Sequence, residues 1–268
     1  MFGRRKIATL VAEFLGTGVL TLLVLSVQRS TIGVPFFVAL AAGLTYALMT
    51  FAVGGVSGGF FNPALTLGMW IARKLPTVNT VLYIIAQMLG GYAAYFLYKY
   101  FVKQDLQAVG GHFAGRILVA EAVGTGIFAF GWASTVYQRF SPAVSASVAG
   151  LSLMVGTVAA SSAAIGLLNP AVALGARAWV WGTYVLGPVV GAIIGANLYS
   201  LLFAEAETAT AASATAPVAA RTSSVVEPAN EPIVRKKATP ARAARKSTAR
   251  ATTAKKPAAK RKPAAKKR

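Results

Sequence analysis

Gly59-Phe60-Phe61-Asn62-Pro63-Ala64-Leu65 returns 107 residues later as Gly166-Leu167-Leu168-Asn169-Pro170-Ala171-Val172. Asn is a favoured helix N-cap and Pro is favoured at the first helical position, so each Asn-Pro-Ala reads as a helix start. Only about ten apolar residues follow, Ala64 to Ala72 and Ala171 to Trp181, and the half-helices are expected to end at Arg73-Lys74 and near Arg177. At about 1.5 Å per residue such a helix is roughly 15 Å long, half the thickness of a bilayer. Two capped half-length helices in a very apolar chain predict a pore or transport site at the membrane midplane. The competing reading, two unrelated helix starts in a soluble core, leaves the repetition unexplained.

The composition agrees with a membrane setting. The chain has 268 residues, 56% hydrophobic and 13% charged, with mean hydropathy +0.60. The net charge of +20 is unevenly placed: 16 Lys+Arg and 4 Glu lie beyond residue 204, leaving 11 Lys+Arg and three acids (Glu13, Asp105, Glu121) before it. The absence of cysteine excludes disulfides, thiol catalysis and thiolate metal sites. The single histidine, His112, cannot form a cluster. No cofactor is implied.

Hydropathy divides the rest into six spans: Ile7–Val27, Val34–Val53, Thr80–Tyr100, one built around Leu118–Phe130, Ala143–Ala163 and Tyr184–Phe203. The first follows the basic start Arg4-Arg5-Lys6 and competes with a signal peptide. It lacks a clear cleavage site and carries Glu13, which favours a span. The positive-inside rule then places the N-terminus in the cytoplasm, and six spans return the C-terminus there. Gly54 to Gly59 reads as a flexible approach to Asn62. Gly187, Gly191 and Gly195 form a small-residue packing face, and Gln87 can reach a buried neighbour.

The two halves match each other. Ala12-Glu13-Phe14-Leu15-Gly16-Thr17-Gly18 aligns with Ala120-Glu121-Ala122-Val123-Gly124-Thr125-Gly126, and Asn62 with Asn169. Three spans per half is an odd number, so the repeats are inverted and the half-helices enter from opposite faces. The predicted fold is all-α: six transmembrane helices and two re-entrant half-helices, with a channel domain over 1–204 (repeats about 1–103 and 115–204) and a tail over 205–268.

This pattern has a defined chemistry. Two helix N-termini at the midplane present partial positive charge and free N–H groups, which repel cations. Asn62 and Asn169 cap with the side-chain oxygen, leaving amide N–H groups to hold a water and interrupt a proton wire. Glu13 and Glu121 are costly in lipid and therefore functional. They are either a proton-coupling pair or structural acceptors for the irregular backbone before each Asn.

At this point the chain resembles the aquaporin and glycerol-facilitator family. The carriers are Ala12-Glu13-Phe14-Leu15-Gly16-Thr17, Ser57-Gly58-Gly59-Phe60-Phe61-Asn62-Pro63-Ala64-Leu65-Thr66 and Asn169-Pro170-Ala171. The resemblance covers about residues 1–203. It implies a pore in each subunit of a homotetramer, passive flow of water or small neutral solutes, and a midplane built from Asn62, Pro63, Ala64, Asn169, Pro170 and Ala171. It also implies a selectivity filter at Ala42, Thr157, Gly166 and Val172. There this chain departs from the family. Val172 replaces the usual Arg, Ala42 an aromatic, Thr157 (or Gly156) a frequent His, and Phe60 the His before the first motif. The Asp that glycerol facilitators often carry beyond the Arg position is missing from Ala173-Leu174. These changes predict a wide, apolar filter.

Residues 205–268 are Ala/Thr/Ser-rich and then Lys/Ala/Pro-rich, with the texture of a linker-histone tail. Such a segment cannot bury a core and is expected to be disordered. It suits anionic lipid or nucleic-acid phosphate. The reading is a multi-pass channel of the cell membrane, not an enzyme. A non-conducting tethering protein is the alternative, and a proton-coupled transporter a third.

Overall fold

The computed structural model describes residues 3–109, 111–138 and 140–204. The tail expected over 205–268 lies outside the described residues. Those residues form eight α-helices: α1 (Arg4–Gln28), α2 (Pro35–Ser57), α3 (Pro63–Ile71), α4 (Thr77–Val102), α5 (Gly115–Tyr137), α6 (Pro142–Ala160), α7 (Pro170–Gly175) and α8 (Leu186–Phe203). A π-helical turn, Trp181–Val185, leads into α8. Six of these segments are long and apolar enough to cross a membrane: α1, α2, α4, α5, α6, and α8 with its π turn.

The helix pairing is duplicated. In each half the first helix packs on the second and on the last: α1 on α2 and α4, α5 on α6 and α8. The short helices cross over, α3 lying against α8 and α7 against α4. Each half-helix is thus braced by the closing helix of the other half. The close approach depends on small residues, as van der Waals packing in lipid requires. A Cβ on Gly68 of α3 would stand 2.8 Å from the Ala192 carbonyl, and one on Gly91 of α4 would overlap the Ala171 carbonyl. Large apolar side chains point outward instead. Leu44, Leu48 and Phe51 of α2 are about two-thirds exposed, a surface suited to hydrocarbon.

The structure differs from the sequence expectation in two places, the end of α2 and the start of the last span. α2 does not stop at Val53 but continues through Gly54-Gly55-Val56 to Ser57, so the supposed flexible approach is mostly helix. It ends at Gly58, whose φ of +98° lies in a region that side chains rarely adopt. The second half-helix ends at Gly175, within two residues of the end expected near Arg177. Arg177 turns left-handed there (φ 58°), and the Ala178 N–H closes back on the Ala173 carbonyl at 2.9 Å. The last span starts with the π turn rather than a regular helix.

We call the side carrying Arg4 and Phe203 the terminal face and the other the far face.

Candidate functional site

The two half-helix N-termini meet in the middle of the protein, and their caps are almost identical. Asn62 Oδ1 accepts from the N–H groups of Ala64 (2.8 Å) and Leu65 (3.4 Å). Asn169 Oδ1 accepts from Ala171 (3.0 Å) and Val172 (3.4 Å). Each amide nitrogen then reaches across. Asn62 Nδ2 donates to the Leu168 carbonyl at 2.8 Å, and Asn169 Nδ2 donates to the Phe61 carbonyl at 2.9 Å. This corrects the expectation that both N–H groups stay free. One N–H of each Asn joins the halves, and the other makes no hydrogen bond among the described residues.

Two carboxylates hold the backbone in front of the caps. Glu13 accepts from the N–H groups of Phe60 (3.1 Å) and Phe61 (2.7 Å), from the Ser57 hydroxyl and from Gln87 Nε2 (2.7 Å). Glu121 accepts from the N–H groups of Gly166 (2.8 Å), Leu167 (3.1 Å) and Leu168 (2.8 Å). Both side chains are fully buried. The residue before each Asn is left-handed, Phe61 at φ 45° and Leu168 at 54°. A non-glycine residue there is strained. The convergent bonds to the carboxylate offset that cost. Gln87 has two tasks, since its Nε2 also donates to Thr66 Oγ1 at 2.9 Å.

On the far-face side of the caps, the four filter positions converge. Ala42, Thr157, Gly166 and Val172 line one cavity together with Leu20, Val24, Val38, Leu153 and Leu167. The room for the centre of a water there is only about 10 Å³, close to the minimum for one molecule. The sequence reading foresaw the small and apolar residues but not the aliphatic side chains from α1, α2 and α6 that stand in the space.

Toward the terminal face a vestibule of about 560 Å³ opens, with Thr50, Gly58, Phe60, Lys74, Trp132 and Ser145 among its walls. Phe60 is a buried member of that lining. Its ring lies 4.8 Å from that of Trp132 and 5.6 Å from that of Tyr83. Between vestibule and filter lies Tyr46, buried to 1% exposure. Tyr46, Phe128 and Trp132 were missed in the sequence. The signal was present for Tyr46, which is one helical turn from Ala42 and so shares its face.

Comparisons with known proteins agree with this geometry. The family model described as major intrinsic protein matches residues 4–199. The chain is 33% identical over 226 residues to Aquaporin Z of Photorhabdus laumondii, covering 73% of this chain and 97% of the relative. It is 31% identical over 205 residues to glycerol uptake facilitator protein-like 6 of Lactiplantibacillus plantarum, covering 69% and 94%. In fold it is similar to the aquaglyceroporin from Plasmodium falciparum, with a TM-score of 0.63 at 19% identity, over 73% of this chain and 96% of that one.

Proposed function

The chain belongs to the major intrinsic protein family, whose members are passive membrane channels and not enzymes; from that premise we propose that it conducts water, and small neutral solutes of glycerol or urea size, past Asn62 and Asn169. The observation that carries the reading is the pair of capped half-helices. Each cap leaves one amide N–H unused beside the axis, while two positive helix ends face each other. A water held there donates its hydrogens outward and cannot relay a proton straight through. Cations are repelled by the same two ends. Val172 adds no charge, so exclusion of ions rests on the midplane rather than the filter.

Solute choice lies at the filter of Ala42, Thr157, Gly166 and Val172. The absence of an Arg and an aromatic leaves it wide in its fixed parts. Leu20, Val24, Val38 and Leu153 narrow it, and these are side chains with rotamers to exchange. Glu13 and Glu121 serve as structural acceptors in this reading, because their oxygens are engaged by the backbone approaching each Asn.

The test is stopped-flow light scattering of proteoliposomes under an impermeant osmolyte, then under glycerol and urea gradients. Protein-bearing vesicles should shrink faster than empty ones, with an activation energy below that of the bare bilayer, and re-swell as solute enters. Equal rates with and without protein would defeat the channel reading. The non-conducting alternative is favoured by one observation: Asn62 is 0% and Asn169 1% exposed, so the midplane is closed in this conformation.

The proposal extends to a homotetramer in the cell membrane with both termini cytoplasmic. Residues 1–204 form its channel and residues 205–268 a tether. The 16 Lys+Arg beyond residue 204 support binding to anionic lipid or nucleic-acid phosphate. Deleting 210–268 should leave permeability unchanged and abolish salt-sensitive binding to anionic vesicles and DNA.

A further inference from the structure

We infer that Tyr46 forms a central constriction of this channel, standing in for permeating water at two backbone carbonyls, so that conduction requires its side chain to move; this rests on the channel reading above. The argument begins with the register of α2. Val38 and Ala42 line the far-face filter, and Thr50 and Gly54 line the vestibule on the terminal face. These positions recur every four residues, so they follow one stripe of the helix. Tyr46 is the missing member of the stripe. From Ala42 to Thr50 the helix rises about 12 Å at 1.5 Å per residue, and Tyr46 occupies the middle of that interval.

The opposite wall leads to the same place. Trp132 of α5 lines the vestibule, and Phe128 lies one turn deeper on that helix. On α6, Ser145 lines the vestibule and Leu153 and Thr157 the filter, with Ala149 between them. The ring of Tyr46 meets that of Phe128 edge to face at 5.2 Å and that of Phe61 at 5.5 Å. Tyr46, Phe128 and Ala149 are each at most 1% exposed. The vestibule on the terminal face and the small cavity on the far side of the caps are therefore separated by packed aromatic rings near the Asn pair.

The hydroxyl explains why the ring stays there. It lies 2.8 Å from the Gly59 carbonyl and 2.7 Å from the Phe60 carbonyl. A phenol has one hydrogen to donate, so the two oxygens share it. These carbonyls precede Asn62, on backbone that the Glu13 carboxylate orients. Exposed to a file of water, they would accept its hydrogens. In the structure Tyr46 takes that role, and the file is broken. Swinging the side chain toward the vestibule would return both acceptors to water, which makes closed and open forms a rotamer exchange. Ala42, one turn above, leaves the far side of the ring unsupported by any bulky neighbour on its own helix.

The experiment is proteoliposome stopped-flow on the full chain and on Tyr46→Ala, Tyr46→Phe and Phe128→Leu, each checked for a monodisperse particle in detergent. Tyr46→Phe keeps the ring but releases the two carbonyls, and should raise water permeability per protein by about two- to tenfold, the population shift expected from one ordinary hydrogen bond. Tyr46→Ala removes the plug and should exceed it. The activation energy should fall in the order wild type, Tyr46→Phe, Tyr46→Ala, because opening no longer breaks the hydroxyl contact. If wild type conducts and neither Tyr46 variant is faster, the central constriction is refuted and the channel reading stands. If neither wild type nor any variant exceeds empty vesicles, the channel reading itself fails. Should Tyr46→Ala aggregate, Tyr46→Phe and Phe128→Leu decide: no gain in either overturns the proposal.

Discussion

The two approaches to the midplane have nearly the same backbone and very different support. Phe61 and Leu168 are both left-handed, both are followed by a capping Asn, and both lend a carbonyl to the other half's amide. Before Asn62, Glu13 shares its load: two backbone N–H groups, the Ser57 hydroxyl and Gln87 all converge on it, and Tyr83 donates to the Ser57 carbonyl at 2.8 Å. Before Asn169, Glu121 takes three successive backbone N–H groups, and no side-chain donor to it occurs among the described residues. The terminal-face approach is lined with aromatics, the far-face filter with aliphatics. An inverted repeat therefore fixes the path of the backbone, while each side is free to choose what stands in the opening.

The largest test of that asymmetry is to neutralise each carboxylate. Glu121→Gln puts an amide NH2 against backbone donors that have no alternative acceptor. Charged hydrogen bonds are worth about 1.5–3 kcal/mol each, so losing part of this set should destabilise by about 3 kcal/mol. At Glu13 the new NH2 can donate to Ser57 Oγ, or to Gln87 Oε1 after a flip of that amide. The cost there should be about 1 kcal/mol. Thermal unfolding in detergent should rank wild type above Glu13→Gln and Glu13→Gln above Glu121→Gln. Equal losses would mean that the extra side chains around Glu13 carry no weight.

The Asn pair should behave in the opposite way, symmetrically. Asp at either position keeps the capping oxygen, which suits a helix N-terminus. It loses the N–H that bonds the opposite carbonyl and places an acidic group between two positive helix ends. Asn62→Asp and Asn169→Asp should raise cation leak by a similar factor, read as faster decay of a potassium diffusion potential in proteoliposomes. Leak confined to one variant would break the equivalence of the two caps.

This division also explains what the sequence revealed. The repeated Asn-Pro-Ala was legible because capping is local: the residues that make the cap are adjacent in the chain. The partnership of each Glu with its loop was legible only as one of two readings, since it joins residues more than forty apart. The end of α7 was legible to within two residues, because Arg177 interrupts the apolar run. How the stop is made was not legible: Arg177 turns left-handed while its carbonyl accepts from Val109 N–H at 3.0 Å. The lining of the filter cavity was only partly legible for a related reason. Leu20 and Leu153 come from α1 and α6, and only their packing against Ala42 and Val172 shows how much of the opening they fill.

The next effect concerns those aliphatic side chains. If they set the width, Leu20→Ala and Leu153→Ala should increase glycerol and urea flux several-fold while changing water flux less, because the fixed backbone at Gly166 already accommodates water. Val172→Arg, alone or with Ala42→Phe, should do the reverse and suppress the larger solutes. The charge and five N–H donors of Arg would occupy a cavity that now holds neither. Unchanged selectivity in both directions would place solute choice elsewhere, with the aromatic side at Tyr46 and Phe60 the next region to examine.

The smallest effect lies at the outer ends of the half-helices, where the two sides become alike again. α3 and α7 each finish with an exposed Arg in the left-handed region, Arg73 at φ 60° and Arg177 at φ 58°. Each turn is closed by the following residue: Lys74 N–H donates to the Met69 carbonyl and Ala178 N–H to the Ala173 carbonyl, both at 2.9 Å. That closure is the Schellman arrangement, in which Gly is the usual left-handed residue because a side chain costs about 1 kcal/mol there. Arg73→Gly should therefore stabilise the fold by about 0.5 kcal/mol, once the greater freedom of Gly in the unfolded chain is set against the relief. Arg177→Gly should gain less, since the guanidinium lies over the Tyr95 ring at 5.9 Å and that contact is lost. Both effects are read as small rises in the unfolding midpoint with permeability unchanged. A fall at Arg73 would show that this side chain holds the turn in a way its backbone does not reveal, and the likeness of the two ends would be only geometric.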